Sequence, residues 1–180
     1  MTPIRRAALA AATVVTLVPA VSGCFGTDDD AKASQPASKS GITVANSAKV
    51  LAKATFPSSM APGATVDVVL NELKVDGRLA RLSVTMTPHA RGATERPTPY
   101  RLNNESGLGT SLIDTVNLKR YVVVKDSSGQ SLQSDDVTTN LTNDQPGMLN
   151  YTFAAPPQGV DQVDVQLGSW PVFQHVPVAR

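Results

Sequence analysis

The chain is almost without cysteine, which removes two common ways of stabilising a small domain. Its 180 residues include one cysteine, Cys24, so no disulfide can form within the chain. A zinc site built on several cysteine ligands is excluded for the same reason. The fold must therefore be held together by burial of apolar side chains and by backbone hydrogen bonds.

Aromatic residues and net charge are scarce as well. Aromatic residues make up 4% of the chain, and the formal net charge is +1. Basic residues are scattered and form no positive face, so we expect no nucleic acid partner. The 13 prolines and 12 glycines, together with many Val and Thr residues, favour short strands and frequent turns over helices.

Residues that could carry chemistry are few. The only histidines are His89 and His175, and no G-x-S-x-G motif occurs. A serine hydrolase needs a nucleophile, a base and an orienting acid, and a zinc site needs three or four ligands. Oxygen ligands cluster in the segment 135–144, but their spacing matches no EF-hand. We therefore expect no enzyme, no cofactor and no metal.

The N-terminal segment has the parts of an export signal. Arg5 and Arg6 precede an apolar run, residues 7–20. A membrane-spanning helix needs roughly 20 apolar residues, and this run is shorter and is interrupted by Pro19. It is followed by Val21-Ser22-Gly23-Cys24: one apolar residue, two small residues and then the cysteine.

This run of four residues resembles the lipobox of bacterial lipoproteins. The resemblance implies cleavage before Cys24, a diacylglyceryl group on its sulfur, and a lipid anchor at the extracytoplasmic face of the cell membrane. An ordinary cleaved signal peptide and an uncleaved anchor are the alternatives. The export route, Sec or twin-arginine, stays open because Arg5-Arg6 match the twin-arginine signal only in part.

Three regions follow from these patterns. Residues 1–23 are a lipoprotein signal peptide, and residues 24–44 are the acylated cysteine with a disordered tether. The tether is rich in Asp, Ser, Lys and Pro without apolar periodicity, so it cannot bury enough surface to offset its ordering entropy. Residues 45–180 form the folded domain.

Period-two alternation dominates the folded region. It is clearest between Ala64 and Met86, where a phase switch at Asn71-Glu72 indicates a β-bulge. Asp76-Gly77 predicts a type I′ hairpin turn, with positive φ at both positions. Further strands are predicted at 49–55, 120–125 with a turn at 126–129 and a return at 131–132, 148–153, 163–167 and 172–178.

Seven or so short strands, with turns about every ten residues, predict an all-β fold of the immunoglobulin-like antiparallel β-sandwich type. Trp170 is predicted to lie in its core. The segment 88–110 is longer than most loops. We expect it to be a mobile surface loop, or to hide a short strand near 100–102, and to hold the binding surface. Its candidate contact residues are His89, Arg91, Arg96 and Tyr100.

Parts of the C-terminal half resemble a β-sandwich module of exported actinobacterial proteins, which often precedes an OmpA-like, peptidoglycan-binding domain. The resemblance is carried by residues 117–129, by 153–157 with 163–165, and by 173–178. The sequence ends at Arg180 without room for an OmpA-like domain, so wall binding is not carried over. The family tends to place cysteines near 130–133, where this chain has none.

These patterns favour a non-catalytic surface module, anchored to the membrane through Cys24, that binds a protein or a cell-wall component. A structural spacer without a ligand is the first alternative. The second is a small secreted hydrolase or ligand-binding protein with its site in the polar loops around His89 and residues 135–136.

Overall fold

The structure is a computed structural model, and it describes the backbone of Thr43–Ser47 and all atoms of residues 50–180. The predicted signal peptide, Cys24 and nearly all of the predicted tether lie outside the described residues. The described part folds into two antiparallel sheets. The predicted all-β sandwich is thereby confirmed.

The described residues contain nine strands and one short helix. Their bounds are β1 Thr43–Ser47, β2 Val50–Pro57, β3 Thr65–Asp76, β4 Leu79–His89, α1 Pro99–Leu102, β5 Ser111–Asp114, β6 Lys119–Val122, β7 Gly147–Ala154, β8 Gln162–Gln166 and β9 Phe173–Pro177. One sheet has the order β1-β2-β3-β4-β7, and the other has the order β6-β5-β8-β9. Alternating apolar residues of β3, β4 and β7 point between the sheets and are fully buried.

The hairpin of β3 and β4 forms where alternation predicts it. The pairing register shifts between Leu70 and Glu72, which confirms the bulge predicted at Asn71-Glu72. The turn differs from the prediction by one residue. Asp76 pairs with Leu79, so Gly77 and Arg78 form the loop.

Of these two loop residues only Gly77 has a positive φ, +59°. That pattern belongs to a type II′ turn, which places glycine first, and not to type I′. The shift occurs because Asp76 can remain paired as the last residue of β3 while glycine alone supplies the positive φ.

Much of the segment 88–110 is regular or buried, so it is not one long surface loop. Strand β4 continues through His89, and residues 99–102 form helix α1 where a short strand was predicted. The helix begins where Thr98 caps its N-terminus and Pro99 supplies a helical φ at the first position. Leu102 and Leu108 are fully buried, so their burial packs this segment into the core.

Strand β5 was not predicted, and the strand predicted at 120–125 ends at Val122. It ends there because the chain leaves the second sheet and crosses to the first, where Val123 bridges Phe153. The predicted turn at 126–129 is confirmed, since the Gly129 N–H donates to the Asp126 carbonyl at 3.0 Å.

This crossing segment covers the outer edge of β7. The backbone N–H of Val124 donates to the Thr152 carbonyl at 2.9 Å, and the Thr152 N–H donates to the Leu132 carbonyl at 3.0 Å. Farther along, the Ser134 N–H donates to the Asn150 carbonyl at 2.8 Å. Backbone groups of β7 that would otherwise face outward are therefore paired.

An aromatic cluster joins the two sheets. Trp170, 5% exposed, stacks on Phe56 of β2 with ring centroids 5.1 Å apart and planes 4° apart. Phe173 of β9 meets Phe56 edge to face at 5.7 Å. The predicted core position of Trp170 is confirmed.

The buried side chain of Asn103 fixes the end of the 88–110 segment to the turn that follows β8. Its Nδ2 donates to the Ser106 carbonyl at 2.9 Å, and its Oδ1 accepts from the Ser169 N–H and hydroxyl at 3.1 and 2.8 Å. Next to it, the Gly168 N–H donates to the Leu108 carbonyl. One amide thus holds together two segments that are far apart in sequence.

We expect Gly168→Ala to destabilise the domain more than Gly129→Ala does. Both glycines have a positive φ, but a Cβ at Gly168 would lie about 2.5 Å from the Asn103 amide, whereas a Cβ at Gly129 meets open space. The left-handed backbone conformation alone costs about 1–2 kcal/mol, and overpacking adds about 1–3 kcal/mol. Denaturant unfolding of both variants measures the difference, and equal losses would contradict the Asn103 contact.

Candidate functional site

The long connections collect at one end of the sandwich, which we call the loop end. Here Pro57 of β2, Thr65 of β3 and His89 of β4 lie side by side. The segments 58–64, 90–110 and 140–146 start or finish at this end. The Leu141 N–H donates to the Pro97 carbonyl at 2.9 Å, which ties two of them together.

His89 stands between two carboxylates at the loop end. Its Nδ1 lies 2.7 Å from Asp144 Oδ1, and its Nε2 lies 3.3 Å from Asp67 Oδ2. The Arg91 guanidinium donates to Asp144 Oδ2 through two nitrogens, each at 2.8 Å. On the far side, the Thr55 hydroxyl donates to Asp67 Oδ1 at 2.6 Å. We call Thr55, Asp67, His89, Arg91 and Asp144 the His89 cluster.

The cluster favours a protonated imidazole. Hydrogen bonding to Asp144, and then to Asp67, raises the pKa of His89 above its usual 6.5. Hydrogen bonds from His89 and Arg91 lower the pKa of Asp144. The side chains of His89, Asp67 and Asp144 are 37%, 46% and 39% exposed, so water screens their attraction. The cluster is a solvent-accessible set of alternating charges.

The backbone places Asp144 for this contact. Its φ is +60°, a left-handed conformation that Asp tolerates better than most residues. Its N–H donates to the Pro88 carbonyl at 2.8 Å, and the Asn143 side chain accepts from the Ala90 N–H at 3.0 Å. The segment 140–146 is thereby docked along the end of β4.

The four predicted contact residues separate into different environments. Hydrogen bonds bring His89 and Arg91 together on Asp144. Arg96 is exposed, and its carbonyl accepts from the Arg101 guanidinium at 3.2 Å. Tyr100 is half-buried at the start of α1 and belongs to neither contact. The structure therefore does not unite the four in one constellation.

A shallow depression of about 290 Å³ opens between the segments 58–64 and 90–110. Glu95, Glu105 and Arg101 contribute the charges of its lining, and Arg101 Nε lies 2.6 Å from Glu95 Oε2. Two carboxylates against one guanidinium leave the lining acidic. Asn104 and Glu105 have φ values of +55° and +53°, an uncommon conformation for two adjacent residues that are not glycine.

The acidic segment 135–144 does not form a shared ligand set. Asp135 accepts from the Val137 and Thr138 N–H groups at 2.8 and 2.6 Å and so caps its own turn. Asp136 is buried and accepts from the Leu108 N–H at 2.8 Å, and its burial raises the pKa of its carboxyl. Within the described residues, no three His, Cys, Asp or Glu side chains are placed to hold a metal ion.

Sequence reasoning missed Asp67 and Asp144 as partners of His89. Asp67 is an outward position of a strand, and Asp144 lies 55 residues from His89. No spacing rule joins residues so far apart, although the register of the β3–β4 hairpin would have placed Asp67 next to the end of β4.

In the part of the chain that is described, no helix is both long and apolar enough to cross a membrane. Comparisons with protein-family models, with curated proteins and with solved structures give no match. The resemblances to lipoproteins and to the actinobacterial module therefore stay predictions.

We expect the pKa of His89 to lie above 6.5 and to fall toward that value in Asp144→Asn, because Asp144 is its strongest partner. With a raised pKa in the folded state, the stability that His89 contributes is complete below pH 6.5 and is lost as pH rises through the folded-state pKa. NMR titration of the imidazole, with unfolding followed across the same pH range, measures both effects. Asp161→Asn, which removes an exposed acid outside the cluster, is the control.

A His89 pKa at or below 6.5 in the native protein would contradict the hydrogen bonds from the imidazole to the two carboxylates. Equal shifts in Asp144→Asn and Asp161→Asn would contradict them too, because the effect would then come from the overall charge and not from the Asp144 contact.

Proposed function

We propose that this protein is an exported lipoprotein, anchored to the cell membrane by Cys24, whose β-sandwich is a non-catalytic binding module at the extracytoplasmic face. The observation that carries the proposal is Val21-Ser22-Gly23-Cys24 directly after a basic pair and an apolar run. All parts of a lipoprotein signal stand in the required order. A thioether-linked diacylglyceryl group would supply two chains, enough for a stable anchor.

The geometry of the His89 cluster supports a role without catalysis. Both ring nitrogens of His89 face carboxylates. The Thr55 hydroxyl is linked to His89 only through Asp67. It donates to Asp67 and not to the imidazole. A nucleophile activated by histidine would lie within hydrogen-bond reach of a ring nitrogen. The hydrolase alternative therefore has the weaker support.

The loop end supports a binding role. It presents the acidic depression and the His89 cluster, and the segments that carry them are fixed to the sandwich by hydrogen bonds. Binding residues are often carried on loops that a rigid scaffold positions. A spacer without a ligand is the main alternative, since a β-sandwich could also serve only to set a distance.

Lipidation is tested by intact mass of the protein in the membrane fraction. We expect the wild type to show cleavage before Cys24 and an added diacylglyceryl mass, and Cys24→Ala to lack that form, because the thiol is the acylated group. An unlipidated wild-type product released into the medium would contradict the anchor. A diffusible role would then become the leading function.

Binding at the loop end is tested by charge reversal at an exposed position. In a strain that lacks the gene, the Arg96→Glu variant should fail to rescue the defect, whereas the Arg81→Glu variant, altered on the outer face of β4, should rescue it. Both side chains are exposed, so neither change should alter the thermal unfolding temperature by more than a few degrees. A spacer would tolerate both substitutions, and restoration by Arg96→Glu would count against a binding surface there.

A further inference from the structure

The connection between β5 and β6, residues 115–118, displays two apolar side chains to solvent. Val116 is 85% exposed and Leu118 is 89% exposed, more than any other large hydrophobic side chain of the described residues. We call residues 115–118 the hairpin tip. Scattered exposed apolar residues are common, but two at the end of one hairpin form a protruding apolar surface.

Hydrogen bonds to a buried carboxylate stabilise the turn of the tip. The carboxylate of Asp114, itself buried, accepts from the N–H groups of Val116 and Asn117 at 3.1 and 2.9 Å. It also accepts from the Asn117 side chain at 2.8 Å. A pre-organised turn presents its side chains with little further loss of entropy on contact.

Leu118 occupies a position where local stability favours another residue. Its φ is +53°, in the left-handed region that suits Gly or Asn and strains a bulky side chain. The leucine is also almost fully exposed, so packing does not compensate for the strain. When a residue strains the backbone and adds no packing to the fold, a function other than stability is the expected reason for it.

The exposed charge next to the tip is positive. Lys119 and Arg120 follow directly and are exposed, whereas Asp114, the acid that precedes the tip, is buried. Neighbouring turns at the same end carry both signs, with Asp76 beside Arg78. The charge that faces solvent beside the apolar side chains is thus positive, although the Asp114 carboxylate lies close to Lys119.

We propose that the hairpin tip inserts Val116 and Leu118 into an anionic lipid surface, with Lys119 at the headgroups. A stable protein interface buries roughly 800 Å² on each partner, which two side chains on a narrow turn cannot supply. A bilayer needs only a few apolar side chains flanked by basic ones. The contact is weak for a free domain, so in the cell the inference rests on the proposed membrane anchor, whereas vesicles at high lipid concentration can detect the contact without it.

The tip lies at the opposite end of the sandwich from the loop end. Ser111 begins β5 beside Gln166, near the turn that Asn103 holds, and Asp114 finishes the strand at the far end. Insertion of the tip therefore turns the His89 cluster and the acidic depression away from the membrane, toward whatever the module binds.

The test exploits the fact that the chain has one cysteine, because replacing it leaves an introduced cysteine as the single site for a label. In the full chain carrying Cys24→Ser, either Val116→Cys or Val137→Cys receives an environment-sensitive fluorophore. Val137 is 60% exposed and lies outside the tip, so it is the matched control. The probes are vesicles of phosphatidylcholine with phosphatidylglycerol, and vesicles of phosphatidylcholine alone. The fluorophore reports its own surroundings, so a shift at position 116 that is absent at position 137 locates the contact at the tip.

We expect a blue shift at position 116 on anionic vesicles and none at position 137. Lys119→Gln should raise the vesicle concentration for half-maximal shift about fivefold. Leu118→Asn should raise it about tenfold or more, without lowering stability in denaturant, because Asn suits the positive φ. That pair of results distinguishes lipid insertion from a structural role of the leucine.

Several outcomes would overturn the inference. These are no shift at position 116, equal shifts at both positions, a shift as large on neutral vesicles, or a shift that appears with protein concentration in the absence of vesicles. The last would mean that the tip docks on a second copy of the chain. Because the labelled chains lack Cys24, none of these results depends on lipidation, which the mass measurement tests separately.

Discussion

The contact of Phe56 with Trp170 and Phe173 is the interaction on which the rest of the structure depends. Phe56 belongs to one sheet, Phe173 to the other, and Trp170 to the connection between β8 and β9. The three rings meet near the loop end, in a chain that cannot form an internal disulfide. Trp170 directly follows Ser169, whose N–H and hydroxyl donate to the Asn103 side chain. The same region therefore fixes both the packing of the core and the position of the 88–110 segment. The candidate site is positioned through that contact.

The two ends of the sandwich differ in chemistry because different interactions shape them. At the loop end, ion pairs and side-chain hydrogen bonds to the backbone hold long connections and leave charged groups of both signs facing water. At the other end the connections are short hairpin turns, and one of them, capped by Asp114, exposes apolar side chains. Under the proposed function one end would face the membrane and the other would bind a partner, and this asymmetry fits those two roles.

Local patterns predicted the parts of the fold that local interactions determine. The β3–β4 hairpin and its bulge follow from alternation within about 25 residues, and Asp-Gly placed the turn to within one residue. Strand β5 has only four residues, and its partner β8 begins at Gln162, so no local signal separates it from a loop. The pairing of His89 with Asp144 depends on tertiary docking of the segment 140–146. Arg96 and Tyr100 were grouped with His89 because they are close in sequence. In the fold, helix α1 and its N-cap separate them from His89.

The crossing of the chain from one sheet to the other has a consequence for assembly. A free outer edge on β7 would offer unpaired N–H and C=O groups to the same edge of a neighbouring molecule, the route by which sheets polymerise. Residues 124, 132 and 134 occupy that edge instead. The proposed anchor would crowd the molecules in the plane of a membrane. Their high local concentration would then favour such edge-to-edge pairing. Covering the β7 edge protects the monomer from edge-to-edge association there.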